Sequence, residues 1–144
     1  MQELMNEAPF RVYAAVSAVL IIKMVLLAFA TIAFRVKATA FANPEDMPDG
    51  RKAEPDDTVE RLRRIHRNDL ENILPFVFLG MLYVLVGAPL SGIQIYGYTF
   101  LIARFLHSAF YFVKVSKLRS LMFAINGLCL IGMCVQILIK AFGS

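Results

Sequence analysis

Charged residues are scarce in this sequence: they make up 18% of its 144 residues, and they are strongly clustered. Long uncharged stretches separate the clusters, and 58% of all residues are hydrophobic, more than an ordinary soluble fold contains. The composition therefore predicts an integral membrane protein with a single domain, residues 1–144. The net charge of +4 does not indicate nucleic acid as a partner, because the basic residues border the apolar segments, where membrane orientation and anionic lipid headgroups explain them.

Cysteine and the familiar catalytic motifs are also nearly absent. The two cysteines, Cys129 and Cys134, lie in the last apolar segment. Five residues apart on a helix, they point about 140° away from each other, so we expect neither a disulfide nor a shared metal. The sequence has no cluster of zinc ligands, no glycine-rich phosphate loop and no Ser/His/Asp nucleophile pattern. No metal is predicted, and the reactive group of any chemistry would come from a bound molecule.

Four apolar segments are long enough to cross a bilayer as helices, at residues 12–34, 73–90, 93–113 and 121–139. The first is too long for a cleaved signal peptide, so we expect it to be retained. Residues 35–58 form the only long polar connection, and Asp57 or Thr58 is expected to cap the helix that follows. The sequence thus predicts an all-α integral membrane protein with four transmembrane helices in an up-down bundle.

Basic residues are unevenly distributed among the connections between these segments. Eight lie between residues 35 and 72, three lie in the turn at 114–120, and none lies in the turn at 87–92. Because basic connections stay on the cytosolic side of a membrane, we expect both basic connections to face the cytosol. Both chain termini then lie on the opposite side of the membrane.

The second apolar segment begins inside a run of charged and amide residues, at 59–76. Four of these side chains share one narrow face of a helix: Arg64, Arg67, Asn68 and Glu71. His66 and Asp69 point away from this face, which makes them weaker candidates. A polar stripe that enters a bilayer is costly and usually marks a site. The alternative interpretation is a solvated helix end, stabilised by an i,i+4 ion pair between Arg67 and Glu71.

Two further apolar segments contain buried polar residues. Arg104, His107 and Tyr111 share one face of the third segment, and three aligned polar residues favour a site between helices over isolated packing positions. Lys23 lies near the middle of the first segment. A lysine this deep needs a partner or a path to water, and an internally paired or snorkelling role is favoured over a catalytic one. The sequence leaves open whether its partner is Asp69.

These orientations bring the polar residues of all four segments to one end of the bundle, where Arg35, Arg119 and Ser120 also lie. The set is rich in guanidinium groups, which match carboxylates and phosphates in a bidentate manner. It includes one acid, Glu71, that suits an ammonium group. A zwitterion with two carboxylates and one amine fits this inventory. If the ligand carries a thiol, Arg119 and Ser120 at the start of the fourth helix would favour the reactive thiolate.

Two long stretches resemble the signature of the MAPEG family, membrane-associated proteins of eicosanoid and glutathione metabolism. These are Phe41-Ala-Asn-Pro-Glu-Asp46 and the run Val59-Glu-Arg-Leu-Arg-Arg-Ile-His-Arg-Asn-Asp-Leu-Glu-Asn-Ile-Leu-Pro-Phe76. The resemblance extends to Ile22-Lys-Met24, to Arg104-x-x-His107-x-x-x-Tyr111 and to Arg119-Ser120. Within the family, the chain most resembles the branch of microsomal glutathione transferases and inducible prostaglandin E synthases.

The resemblance implies a homotrimer of four-helix subunits in the endoplasmic reticulum membrane, with glutathione bound between neighbours at the cytosolic side. Six positions match the family's glutathione contacts: Arg35, Arg67, Asn68, Glu71, His107 and Tyr111. The predicted cofactor-binding set also includes Arg64, Arg104, Arg119, Ser120 and Phe123. Arg119 and Ser120 match the pair beside the sulfur, and Asp46 matches an acid implicated in the synthase's isomerisation. These three are the predicted catalytic residues.

The resemblance implies an enzyme of the microsomal glutathione transferase and peroxidase type. Such an enzyme activates the glutathione thiolate for conjugation to lipophilic electrophiles or for reduction of lipid hydroperoxides. The alternative is isomerisation of prostaglandin H2 to E2, and a lesser alternative is a non-catalytic membrane adaptor of the same fold. Phe123 stands where the synthase has a tyrosine, and the turn before Arg119 is shorter and lacks its proline. Leu70-Glu-Asn-Ile73 also follows the transferases, whereas Arg67 and Arg119-Ser120 follow the synthase.

Overall fold

The computed structural model describes residues 7–41, 43–47 and 55–143. Four α-helices account for most of them: α1 (Ala8–Ala38), α2 (Asp57–Leu85), α3 (Leu90–Phe112) and α4 (Ser116–Phe142), with a 3-10 turn at Pro44–Asp46 between α1 and α2. The prediction of an all-α chain with four helices is confirmed. Helices α1, α2 and α4 are long and apolar enough to cross a membrane. Helix α3 is not among them, because polar residues such as Gln94, Arg104 and His107 interrupt its apolar run.

Helices α1 and α4 extend beyond the predicted apolar segments at both ends, whereas α2 ends at Leu85, five residues before the predicted end at residue 90. Arg35 and Lys37 lie in the last turn of α1 rather than in the polar connection, where cations interact favourably with the helix dipole. Helix α1 ends at Ala38, and the next residue, Thr39, caps it with a left-handed φ of 52°. The predicted cap of α2, Asp57 or Thr58, is wrong by one or two residues: Asp56 is the cap, and its Oδ1 accepts a hydrogen bond of 2.9 Å from the Val59 N–H.

The apolar core joins all four helices. Leu20, Phe76, Phe100 and Met133 have no exposed surface, one from each helix, and the rings of Phe76 and Phe100 stack with their centroids 4.3 Å apart. Helices α1 and α2 approach closely at Gly80, where a Cβ atom would lie 2.8 Å from the Tyr13 ring. The close approach requires glycine at this position.

A hydrogen-bonded chain ties three helices together at the end of the bundle away from the basic residues. The hydroxyl of Tyr83 on α2 donates to Oε1 of Gln136 on α4. Gln136 Nε2 in turn donates to the hydroxyl of Tyr96 on α3 at 2.9 Å, and the two tyrosine rings meet edge to face at 5.8 Å. The polar groups of these three side chains are therefore hydrogen-bonded to one another within an otherwise apolar region.

The outer surface of the bundle is apolar on every helix. The most exposed large hydrophobic side chains within the helices' apolar stretches include Leu26, Phe29, Phe78, Ile95 and Leu128. Apolar surface of this extent is unfavourable in water and suits contact with lipid chains or other apolar helices. The fold thus agrees with the predicted membrane protein.

Candidate functional site

A cavity of about 450 Å³ lies between the C-terminal half of α1 and the N-terminal half of α2. Arg35 from α1 lines it, and so do Arg64 and Arg67 from α2. The structure therefore brings together three of the predicted binding residues, although Arg35 lies 29 positions before Arg64 in the sequence. The floor of the cavity is partly apolar, with Ile32 and Leu70 among its lining residues.

The charge balance of this cavity is positive. Arg63 also lines it but pairs with Glu60, with Nη1 2.6 Å from Oε1. Arg64 lies 3.9 Å from Asp57, an exposed pair that contributes little energy. Among the described residues, Arg35 and Arg67 have no acidic partner within ion-pair distance. The cavity therefore offers guanidinium groups to an anionic ligand.

Sequence reasoning undervalued His66. It points away from the predicted stripe, yet it lines the same cavity because the groove between α1 and α2 meets that side of the helix. Its Nδ1 atom is buried, as is Nε of Arg35, and neither has a hydrogen-bond partner among the described residues. Because buried polar atoms usually have a partner, two unpaired ones in residues that line the same cavity are a notable feature of this region.

Behind the cavity lies a buried charge cluster that holds α1, α2 and α3 together, defined here as Lys23, Asp69 and Arg104. Asp69 has no exposed surface, and each of its carboxylate oxygens accepts from a different cation. Arg104 Nη2 donates to Oδ1 at 2.5 Å, and Lys23 donates to Oδ2. Lys23 also donates to Ser108 Oγ at 2.7 Å. The open question about the partner of Lys23 is answered: it is Asp69.

The buried charge cluster orients one of the predicted binding residues, Asn68. Arg104 Nη2 donates to Asn68 Oδ1 at 2.8 Å, so the amide oxygen of Asn68 faces the bundle interior. Its NH₂ group is left to donate elsewhere. Arg104 itself is fully buried and contacts the surface through Asn68 rather than directly.

The other predicted residues on α3 and α4 form a second group, at the turn between these helices. The rings of His107 and Tyr111 meet with centroids 5.9 Å apart. The guanidinium of Arg119 lies 4.5 Å from the centroid of the Tyr111 ring, a cation–π contact. Ser120 and Phe123 are exposed on α4. Within the described chain, no hydrogen bond or ion pair joins this group to the arginines of the cavity.

Glu71 and Asp46 lie outside both groups. Glu71 is exposed on α2, and within the part of the chain that the structure describes it forms no ion pair with Arg67. Asp46 is exposed in the 3-10 turn, where its Oδ2 accepts a hydrogen bond of 3.1 Å from Asn43. Neither position is fixed by a contact to the cavity.

The exposed ion pairs within α2 lie at its N-terminal end, among residues 57–64. Arg61 Nη2 donates to Asp57 Oδ2 at 2.5 Å, in the exposed first turn outside the apolar segment. This hydrogen bond, with the charge of Arg61, holds the pKa of the Asp57 carboxyl below its ordinary value. Across residues 7–41, 43–47 and 55–143, no group of three His, Cys, Asp or Glu side chains is placed to hold a metal ion.

Comparison with known proteins places this geometry in context. The sequence matches the model of the MAPEG family over residues 13–139. The chain is 37% identical over 122 residues to microsomal glutathione S-transferase 1 of Sus scrofa, which covers 80% of this chain and 79% of that protein. It is 36% identical over 143 residues to prostaglandin E synthase of Bos taurus, covering 96% and 94% of the two chains. The two kinds of relative are equally similar, so identity alone does not choose between their activities.

Proposed function

The chain belongs to the MAPEG family, and from that premise we propose that it is a glutathione-dependent membrane enzyme of the transferase and peroxidase type. The observation that carries the proposal is the positive cavity between α1 and α2, where Arg35, Arg64 and Arg67 converge. Glutathione has two carboxylates and one ammonium group, which match this excess of guanidinium groups. Relatives that cover about four fifths of the chain are named glutathione S-transferases.

Different residues of the cavity and of the neighbouring part of α2 bind different groups of glutathione. Arg35 and Arg67, which are without acidic partners among the described residues, bind the carboxylates in a bidentate manner. Asn68 adds an amide donor whose direction Arg104 fixes. The exposed carboxylate of Glu71 pairs with the ammonium group. The binding is therefore charge-assisted at both ends of the tripeptide.

Catalysis is assigned to Arg119 and Ser120 at the start of α4. Helix α4 begins at Ser116, so both residues lie in its first two turns, where the helix dipole favours a negative charge. The guanidinium and the hydroxyl donate to the glutathione sulfur and stabilise the thiolate.

The thiolate attacks the electrophilic carbon of a lipophilic substrate, an S–C bond forms, the leaving group departs and the thiol proton passes to solvent. With a lipid hydroperoxide, the thiolate instead attacks the terminal oxygen and the O–O bond breaks. This gives the lipid alcohol and a glutathione sulfenic acid, which a second glutathione reduces to the disulfide and water.

A homotrimer would complete this site from two copies of the chain. In one copy, the cavity arginines lie on α1 and α2, whereas Arg119 and Ser120 lie on α4 with no polar contact to them in the described residues. Ser120 and Phe123 are exposed in the single chain. Residues that contact a neighbouring subunit in an assembly are exposed in the isolated subunit. Light scattering on the detergent-solubilised protein tests this, since a monomeric mass with full activity would contradict it.

The site is proposed to face the cytosol in the endoplasmic reticulum membrane, with both termini in the lumen. The uneven distribution of basic residues supports this orientation, and relatives named microsomal support the compartment. An epitope added at the C-terminus should be protected from protease in sealed microsomes. Digestion of the epitope in intact vesicles would contradict the orientation.

Conjugation of a chlorodinitrobenzene in detergent tests the transferase proposal. Arg119→Ala should lose most of the activity, because the thiolate loses its nearest cation. Arg11→Ala is a matched control, since Arg11 is an exposed arginine near the other end of the bundle, in the first turn of α1. Unchanged turnover by Arg119→Ala would refute the assigned role. Absence of glutathione binding in calorimetry would instead indicate the non-catalytic adaptor.

Isomerisation of prostaglandin H2 to E2 is the second candidate function. The observation in its favour is the prostaglandin E synthase relative that covers 96% of this chain. Asp46 is the proposed acid in this case, and its exposed position leaves it accessible to a substrate. Incubation of the purified protein with the endoperoxide and glutathione decides the matter. Product formed no faster than the spontaneous background would exclude this function.

A further inference from the structure

The turn between α3 and α4 contains a lysine in a backbone conformation that suits glycine. Lys114 has a φ of 66°, in the left-handed region where a side chain is unfavourable. Two backbone hydrogen bonds define the turn: the Val115 N–H donates to the Phe110 carbonyl at 2.9 Å, and the Lys114 N–H donates to the Tyr111 carbonyl at 3.4 Å. This is the Schellman arrangement, in which glycine is the usual residue at the left-handed position. The reason for a lysine at this position therefore lies in its side chain.

The side chain of Lys114 reaches a different helix. Its Nζ atom lies 3.6 Å from Oδ2 of Asp57, in the first turn of α2. Both side chains are exposed, so the pair forms without the cost of burying a charge. This ion pair joins the α3–α4 turn to the N-terminal end of α2.

The carboxylate of Asp57 is shared by three cations. Arg61 Nη2 lies 2.5 Å from Oδ2, and Arg64 Nη2 lies 3.9 Å from Oδ1. A single exposed ion pair contributes little to stability, whereas several charges that form a network can contribute more. Arg64 also lines the cavity between α1 and α2. One carboxylate thus contacts both a cavity arginine and the α3–α4 turn.

The same turn determines where Arg119 lies. Helix α4 begins at Ser116, and the Arg119 N–H donates to the Val115 carbonyl at 3.1 Å. The guanidinium of Arg119 lies against the Tyr111 ring, on the α3 side of the turn. Because both contacts of Arg119 are made within the turn and its flanking residues, a displacement of the turn relative to α2 displaces Arg119 as well.

We propose that Lys114 is a positioning residue for Arg119, and that its ion pair with Asp57 holds the α3–α4 turn in place against α2. The inference rests on the proposed function, in which Arg119 stabilises the glutathione thiolate. Lys114 acts through the turn and not on the ligand. Glycine would satisfy the backbone but would not supply the ammonium group, which explains why lysine occupies the left-handed position.

Two methionine variants separate this role from a general effect of charge. Lys114→Met removes the paired ammonium group. Lys117→Met is the matched control, because Lys117 is exposed at the start of α4 and has no acidic partner among the described residues. Lys114→Met should lower the kcat of conjugation about two- to fivefold, the range of an exposed ion pair, and leave KM for glutathione unchanged. Lys117→Met should keep the unmodified kcat, and Lys114→Arg should restore it. An equal loss in the two methionine variants would overturn the proposal.

Lys114→Gly distinguishes the ion pair from the geometry of the turn. Glycine relieves the left-handed backbone, so this variant should melt roughly 2–4 °C above the unmodified protein in circular dichroism. Its kcat should nevertheless fall as far as that of Lys114→Met, because the ammonium group is gone. If the residue served the turn alone, the glycine variant would keep full activity, and that result would contradict the proposal.

A double-mutant cycle with Asp57→Asn identifies the partner of Lys114. Lys114→Met should cause no further loss of kcat in the Asp57→Asn background, since the pair is already broken there. Salt screens exposed charges, so the ratio of kcat between the unmodified protein and Lys114→Met should approach one at high sodium chloride concentration. Losses that multiply in the double variant, or a ratio that salt does not change, would rule out the ion pair as the cause.

Hydrogen–deuterium exchange tests the link between α2 and the turn without an activity measurement. Backbone amides at residues 113–119 should exchange faster in Asp57→Asn than in the unmodified protein, because a turn that is no longer held opens more often. Normal turnover together with unchanged exchange in the turn would contradict this inference alone. Absence of glutathione-dependent turnover in the unmodified protein would instead contradict the proposed function, and with it the role of Arg119.

Discussion

The buried charge cluster makes a sharp prediction, because two cations share one carboxylate. Asp69→Asn keeps the shape of the side chain but leaves Lys23 and Arg104 uncompensated in a fully buried site. Removing one partner of a buried ion pair costs about 3–5 kcal/mol. Here the same carboxylate serves two cations, so we expect the cost to reach at least this range.

Lys23→Met is the contrasting variant at the same cluster. It leaves a neutral pair of Asp69 and Arg104, and methionine fills nearly the same volume as lysine. Ser108 loses the lysine but keeps its own hydrogen bond of 3.2 Å to the Arg104 carbonyl. We therefore expect a cost below about 1.5 kcal/mol, as for a volume-conserving substitution. The two variants should differ by about 2 kcal/mol or more, which is roughly 5 °C in melting temperature for a chain of this size.

The melting temperatures can be measured with a dye that fluoresces on reaction with thiols. The sequence contains no tryptophan, but Cys129 and Cys134 are free, and Cys129 is buried until the bundle opens. Glutathione must be left out because its thiol reacts with the dye, and circular dichroism provides an independent signal. The reasoning would be refuted if Asp69→Asn melted with the unmodified protein, or if Lys23→Met were equally destabilising.

Two further predictions use the same melting assay. Gly80→Ala should be destabilising by about 1–3 kcal/mol through overpacking, because the new Cβ would lie 2.8 Å from the Tyr13 ring. Gly127→Ala is the control, because a Cβ there would have nothing within 4 Å. This second variant should be neutral or stabilising by up to about 1 kcal/mol. Equal melting of the two glycine variants would show that the α1–α2 approach is not tight. Asp56→Ala removes the acceptor of the Val59 N–H and should cost about 1 kcal/mol; an unchanged melting temperature would mean that the α2 cap contributes nothing.

The fold could be predicted because its signals are local. The length of the apolar segments and the clustering of charge are sufficient to predict four helices. The ends of the apolar segments were predicted within about five residues of the observed helix ends, apart from the start of α2, which was predicted separately from its cap. The cap of α2 was placed at Asp57 or Thr58 because Asp56, Asp57 and Thr58 are consecutive capping residues, and their order of preference does not distinguish them. Only the hydrogen bond to the Val59 N–H identifies Asp56.

The positions of the candidate residues could be predicted only in part, because helical periodicity tells which residues share a face but not what that face contacts. Arg64 and Arg67 were placed correctly on one side of α2, yet His66 joins them in the cavity since α1 packs against the adjoining side. Asp69 was set aside because it points away from the stripe. The signal that could have found it was Lys23, since a lysine deep in an apolar segment requires a buried acid.

The polar contacts inside the bundle also explain how this chain selects one helix register in a membrane. Lipid tails are as apolar as leucine, so hydrophobic packing alone discriminates weakly between registers. The hydrogen bonds of Gln136 with Tyr83 and Tyr96 fix α2, α3 and α4 at one end, and the buried charge cluster fixes α1, α2 and α3 nearer the other. Sliding any helix by one residue would break a contact at one of these two levels. The same contacts also position Asn68 and the cavity arginines, because these residues lie on α1 and α2, the two helices that carry Lys23 and Asp69 of the buried charge cluster.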